Sequence, residues 1–299
     1  MEARFILDKN KLLEQYKILK DLGLNISYSY KTNREVGNLL QEISDSEFSI
    51  HDVNEVNFIK NKSKIWFFLQ ANSKEEIKSL AEQGIKHFVI DNEADLNNLL
   101  SSINSKINLS IRMKFQEHRI GSGKYFVYGM PSEKVNSVIS RIKNNSLINK
   151  LGIHLHRKSQ NTSEWQILNE LKDSLSEESL ARVNIINLGG GLPVEYRSYT
   201  SKVLPYIFEK LKETLEWLKT KNITAYIEPG RFLAAPCINL ETEIIQVYDY
   251  NLIINTTIYN SALDTVLTNT KMLVREELKE DKGDYYLIKG NSPARDDIF

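Results

Sequence analysis

Eight short β-prone runs recur along the chain, each followed by a stretch with helical spacing. They centre near residues 28, 50, 66, 88, 110, 153, 186 and 226. Strand and helix alternating through short connections make a parallel sheet, because each helix returns the chain to the same edge before the next strand. Local signals agree. Ser73 stands three residues before Glu76, the spacing of a capping box, and Gly84 closes the helix that follows. Pro205 lies in an apolar run from Tyr199 to Leu218, so that helix is either kinked or starts near the proline. Eight units fit a closed (β/α)8, TIM-like barrel better than an open sheet.

The pattern changes after about residue 235. Ile238 to Val247, Ile253 to Tyr259 and Tyr285 to Ile288 read as strands without helical partners. The expected organisation is a barrel over residues 1–235 and a partial β-rich region over 236–299. With 39 basic and 39 acidic side chains the formal net charge is zero, which offers no electrostatic case for nucleic acid or an anionic membrane. No apolar run approaches the ~20 residues that span a bilayer. Cys237 is the only cysteine, so no intrachain disulfide is expected, and a reducing cytoplasm is the natural setting.

The chemistry-bearing residues all follow predicted barrel strands, where (β/α)8 proteins place their sites. Lys31 lies in the run Asn25–Asn33, at the C-terminal end of an early predicted strand, and a lysine there can serve as a nucleophile or Schiff-base former. His154 and His156 precede Ser159 and Gln160, and alternation puts both imidazoles on one face. Two histidines without a third ligand are poor evidence for a metal, and none is expected. Gly189, Gly190 and Gly191 can turn consecutive N–H groups toward an anion. Glu228-Pro229-Gly230-Arg231 offers a carboxylate, a rigid turn and a guanidinium suited to phosphate or carboxylate. A Schiff-base lysine, a carboxylate, a flat imidazole and a phosphate nest together match the needs of pyridoxal phosphate.

At these positions the chain resembles the fold-type III pyridoxal-phosphate decarboxylases, the diaminopimelate, ornithine and arginine decarboxylase group, whose barrel is of the alanine racemase kind. Tyr28-Ser29-Tyr30-Lys31-Thr32-Asn33 is similar to that family's Tyr-Ala-Val-Lys-Ala-Asn motif. Gly152-Ile153-His154-Leu155-His156-Arg157-Lys158-Ser159-Gln160 resembles its Gly-Leu-His-Phe-His-Ile-Gly-Ser-Gln motif, and the glycine triplet and Glu228-Pro229-Gly230-Arg231 also match. The resemblance implies an aldimine on Lys31, His156 stacked on the cofactor ring, and Glu228 at the pyridine nitrogen. It places Ser159, Gly189, Gly190, Gly191, Gly230 and Arg231 among the cofactor-binding residues. The implied reaction is α-decarboxylation of an amino acid or an amino-acid moiety, and the implied assembly is a homodimer.

The match departs from the family toward the C-terminus. Gly290 to Asp297 resembles a Gly-Pro-x-Cys-x-x-x-Asp element, which brings Asp297 into the expected catalytic set. Pro293 stands at the position of the family's cysteine, and a later tyrosine segment has no counterpart. The family's N-terminal strand that joins the β-domain also has none, which leaves three explanations open: a piece of a longer polypeptide, a reduced enzyme whose tail or partner completes the site, or a cofactor-binding relative that has lost decarboxylation. These departures keep open a non-catalytic relative paired with an active homologue, and the rival enzyme reading is racemisation on the same barrel, which the Glu228 motif disfavours. Arg157 and Lys158 replace small residues of the motif, which suggests an anionic substrate.

Overall fold

A computed structural model describes residues 2–115, 128–278 and 282–299. Its centre is a closed barrel of eight parallel strands in sequence order. A first strand, β1 (Arg4–Leu7), precedes it. The barrel strands are β2 (Asn25–Ser29), β3 (Glu47–Ile50), β4 (Ile65–Leu69), β5 (His87–Ile90), β6 (Ile107–Met113), β7 (Ile148–Leu155), β8 (Ile185–Asn187) and β9 (Thr224–Ile227). The barrel closes where β2 pairs with β9, Asn25 opposite Tyr226 and Ile26 opposite Ile227.

The strands are buried on both faces, and their side chains divide by alternation. On β4, Trp66 and Phe68 join Val89, Ile185 and the partly buried Tyr226 in one apolar cluster. Ile65, Phe67 and Leu69 belong to the larger core shared with the helices. Small polar residues fill part of the strand layer, with Ser27 and Ser49 hydroxyls 2.8 Å apart. Glu47 accepts hydrogen bonds from Trp66 Nε1 and, at 3.0 Å, from the Tyr226 hydroxyl.

Helices cover the barrel where local signals predict them. The capping box of Ser73 and Glu76 opens helix Lys74–Glu82. Helix Leu204–Thr220 starts with Pro205 in its first turn, where the missing N–H costs nothing. Among the described residues no helix is long and apolar enough to cross a membrane.

The tail differs from expectation in three ways. β1 pairs antiparallel with β10 (Ile238–Glu241), so an early strand does join the region beyond the barrel. The run Ile238–Val247 is two strands, because the chain changes sheet and β11 (Ile244–Tyr248) pairs with β12 (Asn251–Ile254). β13 (Leu287–Lys289) lies parallel beside β12. Strand ends at Ile254, and helices Ile258–Ser261 and Leu263–Thr268 follow. The Asp297 carboxylate accepts from the Ile258 N–H at 2.7 Å, a cap from nearly forty residues away that local sequence cannot reveal.

Gly152 sits where the barrel wall leaves no room for a side chain. A β-carbon there would collide with the Ser110 hydroxyl and lie 3.2 Å from the Ile185 carbonyl oxygen. Gly152→Ala is expected to cost about 1–3 kcal/mol by overpacking. Urea unfolding measures it, and an unchanged midpoint would refute this account of the wall.

Candidate active site

β2 stops at Ser29, and Lys31 lies two residues beyond, in the single 3₁₀ turn Tyr30–Thr32. The sequence expectation put Lys31 inside the strand end; the turn intervenes because local bonds bend the chain there. Tyr28 donates its hydroxyl to the Asn33 carbonyl at 3.0 Å, and Tyr30 donates to Asn38 Oδ1 at 2.8 Å. Asn33 caps the following helix Arg34–Ile43, its side chain accepting from Val36 N–H. The lysine is exposed while the tyrosines on either side of Ser29 are buried.

The turn after β9 lies directly against the Lys31 turn. Ser29 N–H donates to the Pro229 carbonyl at 3.0 Å. A β-carbon on Gly230 would strike the Thr32 hydroxyl. Glu228 is buried, and its Oε2 accepts from His154 Nε2 at 3.0 Å. His154 Nδ1 and Glu228 Oε1 are buried with no partner among the described residues. Burial alone would raise the Glu228 pKa, but the imidazoles of His154, His51 and His156 outweigh it and hold the carboxyl below its ordinary range.

His156 lies next along β7, its ring nearly parallel to that of His154 with centroids 6.5 Å apart. Its Nδ1 accepts from the Gly190 N–H at 3.4 Å, which fixes the ring plane and leaves Nε2 available. Desolvation pushes its pKa down to about 4, against the pull of Glu228 and with help from the charges of His154, Arg112 and Lys31. The ring is accessible through the mouth yet surrounded by protein atoms, so it is a neutral imidazole at neutral pH.

The glycine loop is built by close approach. Gly189 and Gly191 have φ of +73° and +96°, a region that disfavours side chains. A β-carbon on Gly189 would hit the Leu155 carbonyl, and one on Gly190 would lie 2.6 Å from the Glu228 carbonyl oxygen. Gln160 fastens the loop by pairing its amide with the Val194 backbone in both directions, at 2.9 and 3.1 Å. Ser159 is exposed on the facing loop after β7. Arg231 opens the next short helix and donates to Asp264 at 3.0 Å.

Three residues stand differently from the sequence reading or outside it. Asp297 is an anchor of the tail: Oδ1 accepts from Ile258 N–H, and Oδ2 accepts from Ser292 N–H at 3.0 Å and its hydroxyl at 2.7 Å. Arg157 is buried, ion-paired with Glu164 and Glu170 and stacked over Phe115, so its charge is neutralised within the protein. The argument from Arg157 and Lys158 for an anionic substrate therefore loses its main support. Third, His51 was missed. It follows β3 immediately and stacks on Phe68 at 4.4 Å, and Phe68 meets His154 edge-on at 4.9 Å. Reading that strand through to Val53 hides it, although it holds the same strand-end position as the other site residues. Arg112, 3.8 Å from Asp91 and over the Tyr128 ring, lines the same cavity.

With this geometry in view, the family model for "Pyridoxal-dependent decarboxylase, pyridoxal binding domain" matches residues 16–235. The chain belongs to this family. The pyridoxal-dependent decarboxylase fold of the chain is shared with solved structures. One is diaminopimelate decarboxylase from Helicobacter pylori complexed with L-lysine, at TM-score 0.80 and 18% identity, covering 100% of this chain and 81% of that one. Another is lysine/ornithine decarboxylase from Vibrio vulnificus complexed with cadaverine, at TM-score 0.74 and 18% identity, covering 99% and 82%. In sequence, the chain is 27% identical to the diaminopimelate decarboxylase of Campylobacter jejuni over 248 residues, 76% of this chain and 61% of that protein. It is 28% identical to a probable chloroplastic diaminopimelate decarboxylase of Oryza sativa subsp. japonica over 177 residues, 54% and 36% respectively. The chain thus spans less than two thirds of the length of these curated relatives. The cofactor of the family is pyridoxal phosphate, and the residues at this mouth fit it: a buried carboxylate oxygen without a partner among the described residues, a ring-sized imidazole wall and a side-chain-free loop.

The imidazoles set an acid limit on the fold. His51 and His156 each fall from 6.5 to about 4, so between those values protons bind the unfolded chain more tightly than the folded one. Stability is therefore lost as pH falls through this window. Glu228, with its pKa lowered from 4.5, acts in the same direction at the acid end. Thermal melts from pH 7.5 downward are expected to show a steady drop below about pH 6.5, shallower in His51→Phe; a flat profile would sink this account.

Proposed function

We propose that this protein is a pyridoxal-phosphate-dependent α-decarboxylase acting on an amino acid or an amino-acid moiety. The observation that carries the reading is Glu228, a buried carboxylate held ionised with one oxygen lacking a partner among the described residues, beside the Lys31 turn. When bound, the cofactor supplies an aldehyde for an amine and an electron-withdrawing pyridine ring.

This chain's residues divide the remaining work. Lys31 would hold the aldehyde carbon through its amine. Glu228 Oε1 would keep a proton on the pyridine nitrogen, which favours release of a carboxylate over milder reactions at the α-carbon. His156, with its plane set by Gly190, would pack on the ring as a neutral surface. The Gly191 N–H, together with Ser159, Gly230 and Arg231, would receive the phosphate, while Gly189 and Gly190, whose N–H groups are held by Asn187 and His156, would give it room by lacking side chains. Overall, the substrate loses its carboxylate as carbon dioxide and gains one proton at the α-carbon. Amino acids are supported as substrates by the relatives, whose names carry diaminopimelate, lysine and ornithine. We extend the reading to a homodimer, because Ile244, Val247, Leu267 and Leu287 of the tail are exposed apolar side chains.

Purified protein supplied with pyridoxal phosphate is expected to absorb in the visible, with the band lost in Lys31→Ala. Carbon dioxide release from an amino-acid panel then tests the reaction. Glu228→Gln should keep the band and lose activity by about a hundredfold or more, since a neutral amide cannot hold the ring proton. A band that survives in Lys31→Ala removes the lysine from its assigned role. Racemisation without carbon dioxide release would replace the reaction.

A further inference from the structure

Arg231 does not stand alone at the mouth. Its terminal nitrogen Nη2 donates to Asp264 Oδ2 at 3.0 Å, and the two side chains are 27% and 50% exposed. Asp264 lies beyond the matched family region, which ends at residue 235, on helix Leu263–Thr268 of the tail.

That helix is itself held. Thr265 Oγ1 donates to the Thr270 carbonyl, and the hydroxyls of Thr268 and Thr270 are 2.7 Å apart. The chain then runs across the loop that continues from the glycine triplet. Arg197 N–H donates to the Lys271 carbonyl at 2.9 Å, Lys271 N–H donates to Ser198 Oγ at 3.1 Å, and Arg197 pairs with Glu277. Tyr196, on the same loop, feels both Arg231 and Asp264, with burial raising its phenol. One stretch of the tail therefore grips both the extension of the glycine loop and the guanidinium.

We propose that Asp264 is a positioning residue for cofactor binding: through its hydrogen bond to Arg231 it holds the guanidinium in place to receive a phosphate group. The inference rests on the functional reading above. The bond occupies one terminal nitrogen. Among the described residues, Nη1 and Nε have no hydrogen-bond partner and Nη2 keeps a second hydrogen, so donors are left for an anion. An unanchored arginine would lose side-chain freedom on each binding event, and Asp264 removes that cost beforehand. The opposing possibility has the opposite sign: if Asp264 merely competed with phosphate for Arg231, removing it would tighten binding.

The test is titration of pyridoxal phosphate into the full-length cofactor-free protein, followed by absorbance and intrinsic fluorescence. Asp264→Ala is expected to weaken binding about three- to tenfold, the scale of a partly exposed charge pair. Asp264→Asn keeps an oxygen acceptor and should fall between. In an Arg231→Ala background, Asp264→Ala should change the affinity no further, whereas a merely structural role would give additive losses. The melting temperature should stay within about 2 °C of wild type, since exposed pairs contribute little to stability. Unchanged or tighter binding in Asp264→Ala, or full additivity with Arg231→Ala, overturns the proposal. A wild-type protein that does not bind the cofactor overturns the functional reading first, and this inference with it.

Discussion

Every feature of the mouth depends on one seam. β2 and β9 meet over two registered residue pairs, with Ser29 adding a bond to Pro229 just beyond them. That short contact turns an open sheet into a closed barrel. It also places the Lys31 turn against the turn carrying Glu228, Gly230 and Arg231, though about 200 residues separate them in sequence. Gly230 is needed at that position because Thr32 leaves no room for a side chain.

Electrostatics at the mouth is a collective property. His154 alone would be a buried imidazole with a lowered pKa. Glu228 alone would be a carboxylate penalised by burial. Together they share one hydrogen bond; proximity to the imidazoles holds the carboxyl below its ordinary range, while burial, with Arg112 and Lys31 nearby, holds the His156 imidazole below its own. The rings that set this field also support one another mechanically, from His51 through Phe68 to His154. Such a site is preorganised in charge and in shape, which is where proteins obtain much of their leverage over bound groups.

The barrel was legible because its signal is repeated. Eight strands with helices between them give eight chances to see one period, and the short edges of β8 and β9 did not obscure it. The glycine triplet and the Glu228–Arg231 turn were legible because close backbone approach demands particular residues. The rest depends on partners far away in sequence. Arg157 looked available because Glu170 lies on a helix that must fold back to meet it. The helix at Ile258 looked like strand because its cap is Asp297. His51 was hidden by a strand boundary misplaced by three residues, enough to move it from the mouth into the wall.

The seam has a consequence for the order in which this molecule can acquire its chemistry. A chain emerging residue by residue carries Lys31 early, but the opposite wall arrives only with β9. Until then the lysine has no glycine loop or buried carboxylate facing it. A ligand that needs both sides of the seam is selective for the closed barrel and stabilises it by mass action. Its capture therefore certifies that β2 and β9 have found each other, and an incomplete or open barrel has no means of passing that inspection.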